Sequence, residues 1–270
     1  MTAALLRFWN QCPLAGAPYI HPQDQPVLDG RGHRHVYARP MGFDEFVASE
    51  HFGRFKDNRF HVSLLPLPFG GNLAHADIII LLLNPRFISA ADYYAETRNQ
   101  VFRERLAMNL RQAFDGVDFP FLWLDPQFCW HSGFYWWERK LRDVITVIAE
   151  RRFDGRYLRA LQDLSRRLAH VELVPYRSSN FTSHNLVQHL PSAIQARTFV
   201  HRALVPAAQA GTKTVIITRR SAEWGELPEG GDRLVIYRVE QAQAASLGLH
   251  SSGRRAILAS YGIPSDEAGC

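Results

Sequence analysis

The chain has 270 residues, 46% hydrophobic and 21% charged, with a formal net charge of +5 and a pI near 9.3. That length buries a full core without metal or disulfide help, and no apolar run approaches the roughly 20 residues of a membrane helix. Cys12, Cys129 and Cys270 are scattered and lack CxxC spacing, which excludes a four-cysteine zinc or iron–sulfur site within one chain.

Only Lys56, Lys140 and Lys213 are lysines, so 28 of the 31 basic residues are arginine. Codon usage accounts for this as well as phosphate recognition by planar guanidinium forks does. The start, "MTAALLRFWNQCPLAGAPY", lacks the basic opening and long apolar stretch of a signal peptide, and a cytoplasmic location is expected.

Residues 1–42 are rich in Pro, Gly and His and read as an extended arm packed on a single domain over 43–264. Five short aliphatic runs follow as strand candidates: Asp77–Leu83, Phe119–Leu124, Val171–Val174, Thr214–Thr218 and Leu234–Tyr237. Runs of this kind suit strands buried on both faces of a parallel sheet. Between them lie helical patterns over Glu96–Phe114, Tyr135–Arg151, Arg156–Leu168, Ser192–Gln209 and Gly253–Tyr261. Leu158, Leu161, Leu164 and Leu168 mark the apolar face of the third. The alternation predicts an α/β fold, a three-layer α/β/α sandwich with a central, mainly parallel sheet.

Ligands of open parallel sheets bind beyond the carboxyl ends of the strands. There the chain places "NPRF", "DPQFCWHSGFYWW", "PYRSSNF", "RRSAEW" and "GLHSSGRR", an accumulation of amide, hydroxyl, imidazole, arginine and aromatic groups. The segments entering the strands are mostly plain turns. GxGxxG, GxxxxGK[ST] and GxSxG are all absent, which argues against dinucleotide enzymes, P-loop enzymes and α/β-hydrolases. His131, His184, His189, His201 and His250 lack HExxH spacing, and paired cysteines for a zinc deaminase are missing.

A strand ending in Leu83-Asn84-Pro85 resembles the first motif of the uracil-DNA glycosylase superfamily. "FPFLWLDPQF…GFYWWERKL", "VELVPYRSSNF" and "IITRRSAEW" follow in order and are similar to a bacterial group of uracil-DNA-glycosylase-like proteins, over about residues 60 to 260. The group also resembles anti-phage glycosylases acting on glucosylated hydroxymethylcytosine. The resemblance implies a monofunctional DNA glycosylase that hydrolyses the bond to a modified base and leaves an abasic site. It further implies a role in antiviral defence, no cofactor or metal, and a double-stranded, base-modified DNA partner. A monomer with no membrane partner is expected.

Cleavage of an N-glycosidic bond passes through an oxocarbenium-like sugar, and a neutral carboxamide at Asn84 suits the orienting of the attacking water. An N-P turn closing a strand is the plain alternative. Pro85 and Arg86 would line the pocket. Arg86 stands where the resembling branches carry Gly or Tyr, which puts uracil specificity in doubt. Phe87 or Tyr93 would stack on an extruded base. Tyr176, Ser178 or Asn180 would supply hydrogen bonds to it, with Asn180 equally suited to capping a helix. The superfamily's second motif has its nearest match in "LHSSGRR", which assigns His250 to donate to the base carbonyl; an alignment through Glu240-Gln241 stays open. Arg254 and Arg255 at a helix start, and Arg219, are the expected DNA-binding residues. Asp125 is read as a loop cap, with polarising of a water as the alternative, and of Trp136 and Trp137 one is expected in the core and the other along a DNA groove. No lysine lies in these loops, which disfavours a Schiff-base lyase. A conventional uracil glycosylase, a non-catalytic nucleic-acid binder and a small-nucleotide N-glycosidase remain the rival readings.

Overall fold

The computed structural model describes residues 2–30, 36–54, 57–86, 88–180, 184–238 and 246–264. In chain order the helices begin with α1 (Thr2–Trp9), α2 (Gln25–Leu28) and α3 (Phe43–Val47). Strands β1 (Phe69–Gly70) and β2 (Ile78–Leu82) follow, then helices α4 (Ala90–Arg98), α5 (Gln100–Arg111), α6 (Ser132–Arg152) and α7 (Tyr157–Arg167). Strand β3 (Leu168–Glu172) leaves α7 without a loop. Helices α8 (His184–Val187), α9 (Pro191–Phe199) and α10 (Val205–Gln209), strands β4 (Thr214–Ile217) and β5 (Leu234–Ile236), and helix α11 (Ser252–Ser260) complete the order.

The fold is α/β around one five-stranded sheet with the order β1-β3-β2-β4-β5. β2, β4 and β5 run parallel, Ile78 facing Thr214 and Val215 facing Leu234. β3 joins β2 in the same sense: Asp77 N donates to Arg167 O at 3.1 Å and Val174 N to Leu83 O at 2.9 Å, an almost constant offset. β1 runs the other way. Glu172 N donates to Pro68 O and Leu67 N to Pro175 O, so one chain ascends as the other descends. The sheet is therefore mixed, with an antiparallel edge.

Chain packing separates two compact units. The first comprises residues 1–69, 83–113 and 172–199, and the second 70–82, 114–171 and 200–270. In the first, α1 packs on α5 and α9, and α4 packs on α3 and α5. In the second, α6 packs on α7 and α11, while α10 and α11 cover β4 and β5. The Ile-rich β2 is buried along almost its whole length, as a central strand must be.

Three expectations need correction. Phe119–Leu124 is not a strand. Pro120 interrupts it, and Phe121 N is taken by Ser165 O and Oγ (3.3 and 3.0 Å), leaving a 3₁₀ turn at Leu122–Leu124. The fifth strand is the two-residue β1 instead. Secondly, the long helix expected from Glu96 is two helices broken at Asn99, whose extended backbone frees its side chain to cap Phe102 N at 3.0 Å. Thirdly, residues 2–9 are helical, not extended, and Leu5, Phe8 and Trp9 are core residues of the first unit. Arg111 ties this segment down by donating to Trp9 O and Cys12 O. A smaller difference is Leu158, which is 59% exposed; Ala160, Leu161 and Leu164 form the buried face of α7.

The 3.6-residue period read over 192–209 holds, with one π turn at Val200–Leu204. Pro206 explains it: the ring lacks an N–H and crowds the carbonyl four residues back, so the preceding turn widens.

Close approach is required at Gly70. A Cβ there would stand 2.3 Å from His170 Cε1, and the His170 ring is fully enclosed, stacked on Trp137 at 5.4 Å. Gly70→Ala is expected to cost about 1–3 kcal/mol by overpacking, measured as a lowered denaturant midpoint.

Candidate functional site in the first unit

The pairing of β2 with β3 runs on beyond the ends of the strands, to Leu83 and Val174. Past it, Asn84-Pro85 meets the segment 175–180. Ser178 N donates to Pro85 O at 3.3 Å, and Asn84 Nδ2 donates to Ser178 Oγ at 3.0 Å and more weakly to Pro85 O at 3.4 Å. The carboxamide is thus held at its nitrogen. Among the described residues its Oδ1 is buried with no hydrogen-bond partner, and the residue is 6% exposed. Arg86 is exposed and donates through Nη2 to Ser179 O at 3.3 Å.

This segment is fixed from below by a buried ionic cluster. The capping box at Ser89, with Asp92 three residues on, starts α4 where it does. Asp92 and Glu96 then share one helix face, four residues apart. Arg177 reaches between them, donating from Nη1 to Asp92 at 3.0 Å and from Nη2 to Glu96. Leu65 N also donates to Glu96, at 2.7 Å. Burial drives the Glu96 carboxyl up to about 7 against the pull of Arg177 and the Leu65 amide. Arg177 O in turn accepts from His61 N at 2.9 Å.

His61 belongs to a second cluster. His51 Nδ1 lies 2.6 Å from Asp57 Oδ2, and His61 Nε2 lies 3.8 Å from the same oxygen. Arg59 Nε donates to Asp57 Oδ1 at 3.1 Å. Burial works to raise the Asp57 carboxyl, but the Arg59 fork, the Arg59 amide and His51 overcome it and hold the group well below the usual range. Burial lowers His61 to about 4.

Of the expected site residues, Asn84, Pro85, Arg86 and Ser178 come together. Asn180 joins through its backbone N, which donates to Asp57 O at 3.0 Å. Tyr93 and Tyr176 need correction, because both are core residues with engaged hydroxyls. Tyr93 stacks on Phe46 at 4.0 Å and its hydroxyl lies 2.8 Å from His61 Nδ1, so its ring has no face open to a base. Tyr176 donates to Asp24 Oδ2 at 2.6 Å and accepts from His21 N, anchoring the N-terminal segment instead of a ligand. Phe87, and Glu240-Gln241, lie outside the described residues.

His250, Arg254, Arg255 and Arg219 belong to the second unit. His250 is exposed, with φ +68, and its carbonyl accepts from Arg255 Nη1 at 3.4 Å. Arg254 is 5% exposed and packs inward, not outward as a phosphate contact would. Arg255 lines a cleft of about 920 Å³ with Arg233 and Arg238. Arg219 is half-buried. Asp125 caps Gln127 N at 3.0 Å as expected, Trp137 is core, and Trp136 carries Lys140 over its ring at 5.0 Å.

Sequence reasoning missed His51, Asp57, His61, Asp92, Glu96 and Arg177. The capping box Ser89-x-x-Asp92 and the i, i+4 carboxylates were readable; the H-x₅-D-x₃-H spacing spans a loop and matches no helical or strand period. Comparisons with family models, with curated proteins and with solved structures give no match.

The Glu96 proton has a measurable consequence. A carboxyl raised from 4.5 to about 7 keeps in the folded state a proton that the unfolded chain gives up. Its contribution to stability is therefore full below pH 4.5 and falls as pH rises to 7, by up to about 3 kcal/mol. The neutral His61 works in the opposite direction over part of that window, so the comparison with a variant isolates the effect. Glu96→Gln is expected to remove this downward slope from urea midpoints collected between pH 4.5 and 7.5.

Proposed function

We propose that the chain is a monofunctional DNA glycosylase that releases a modified base and leaves an abasic site, built on a glycosylase-like α/β/α sandwich with a mainly parallel sheet. The substrate proposed is double-stranded DNA carrying glucosylated 5-hydroxymethylcytosine, the role is antiviral, and the protein acts as a cytoplasmic monomer. The observation that carries the reading is the Asn84 carboxamide at the end of β2. Its nitrogen is committed to Ser178 Oγ, and its carbonyl oxygen has no partner among the described residues.

A buried carbonyl left unpaired costs about 1–3 kcal/mol, which a hydrogen-bonded water offsets. Such a water, donating one hydrogen to Oδ1, has a lone pair free for C1′ of a deoxyribose. As the water oxygen bonds to C1′, the N-glycosidic bond breaks and its electron pair leaves with the base nitrogen. The water gives up one proton, which reaches the departing base nitrogen through solvent, and the sugar keeps a hydroxyl. An amide orients the water without ionising, which suits a sugar that is itself becoming cationic. Since Oδ1 is enclosed, substrate entry requires the rim of this unit to open. Arg86, exposed and donating to the Ser179 carbonyl at 3.3 Å, is the side chain assigned to admit or refuse substituents on the base.

Mass spectrometry of bases released from uracil-containing DNA and from glucosylated 5-hydroxymethylcytosine DNA tests the reading. The free glucosylated base is expected with the unaltered protein, and its release is expected to fall about 100-fold or more in Asn84→Ala. Release of uracil alone would move the assignment to a conventional uracil glycosylase. Tight binding with no base released, or equal release by Asn84→Ala, would overturn it. Arg86→Ala is expected to shift the ratio of the two released bases while leaving the melting temperature nearly unchanged.

A further inference from the structure

We infer that His51, Asp57 and His61 form a binding site for one divalent first-row transition ion, Zn²⁺ or Fe²⁺, inside the first unit. One donor atom from each of the three residues lies within 4.8 Å of the others, and all three residues are buried. An independent observation points the same way. His61 Nε2 is fully enclosed, has no hydrogen-bond partner among the described residues, and lies 3.8 Å from Asp57 Oδ2. A ring nitrogen in that condition is either an unsatisfied donor or a lone pair awaiting a cation.

Its other nitrogen has the outer partner that a histidine ligand needs. His61 Nδ1 is 2.8 Å from the Tyr93 hydroxyl. With Nδ1–H donating to that hydroxyl, the Nε2 lone pair faces Asp57, the same outer hydrogen bond that orients histidine ligands in known metal sites. Tyr93 is held for the task by its stack on Phe46.

The spacing needs only a small adjustment. Ligand atoms bonded at 2.0–2.2 Å in a tetrahedral site stand about 3.4 Å apart. The observed 2.6 Å from His51 and 3.8 Å from His61 bracket that value, so a turn of the Asp57 carboxylate away from His51 equalises them. Arg59 Nη2, which donates to the same oxygen at 3.3 Å, gives that contact up to the ion, while its Nε and backbone N stay on Oδ1. Two imidazoles with one carboxylate select zinc or iron over magnesium or calcium, and they leave at least one coordination position for water. The inference stands apart from the glycosylase reading: no base-release step passes through this ion.

Metal analysis of the untagged full chain, followed by Co²⁺ titration of the chelator-treated protein, tests it. One ion per chain is expected, with visible Co²⁺ bands of nitrogen and oxygen ligation that Zn²⁺ abolishes; the ion found on isolation tells zinc from iron. Tyr93→Phe keeps the aromatic stack and is expected to weaken binding roughly 10–100-fold. His51→Gln and His61→Gln are expected to weaken it further. Failure of the unaltered, folded chain to take up a stoichiometric ion overturns the assignment, independently of how any variant folds. Undiminished binding in folded His51→Gln and His61→Gln overturns it equally.

Discussion

The first unit depends on Arg177. A guanidinium without access to water is unfavourable by several kcal/mol unless opposite charge and hydrogen bonds surround it, and here two carboxylates from consecutive turns of α4 do so. Three pieces of chain far apart in sequence are thereby bound to one another: α4, the segment after β3, and the loop that supplies Leu65 N. Ser178 follows Arg177 directly, so the serine that holds Asn84 is placed by its neighbour's ionic contacts. The same residue's carbonyl receives His61 N, which places the histidine cluster as well. Removing the Asp92 carboxylate would leave the positive charge inadequately matched, and both clusters would shift together.

That dependence explains why polar residues are so numerous inside this unit. His21, Asp24, His51, Asp57, His61, Asp92, Glu96 and Arg177 are all buried. All but His51 are joined to a partner distant in sequence, as Asp24 is to Tyr176 over 152 residues. Hydrogen bonds of this kind are directional where apolar contacts are not, so they favour one arrangement of the irregular connections over others. The second unit achieves its order by other means, through parallel aliphatic strands and the long helix α6.

Sequence reading recovered the elements whose chemistry is periodic. β2, β4 and β5 are aliphatic runs of the right length, and α6, α7 and α11 carry apolar faces. It failed where structure depends on partners remote in sequence. Phe119–Leu124 has strand-like composition, yet Ser165 claims its backbone. β1 has two residues and no pattern to detect. Tyr93 lies early in α4 and Tyr176 just past β3, but their hydroxyls had internal claimants that no local rule reveals. At the site, Asn84 and Ser178 were legible because each sits just past a strand, whereas His51, Asp57 and His61 converge only once α3's loop folds back on the 175–180 segment.

Pro85 gives Asn84 a chemical lifetime that most exposed or mobile asparagines lack. Spontaneous loss of the amide ordinarily proceeds by attack of the following backbone nitrogen on the side-chain carbonyl, and the imide nitrogen of proline has no hydrogen to lose and cannot perform that attack. The opposite attack, by Nδ2 on its own backbone carbonyl, is restrained by the bond to Ser178 Oγ. The dipeptide that ends the strand therefore also preserves the carboxamide against slow conversion to an acid, which at this position would bury an uncompensated negative charge.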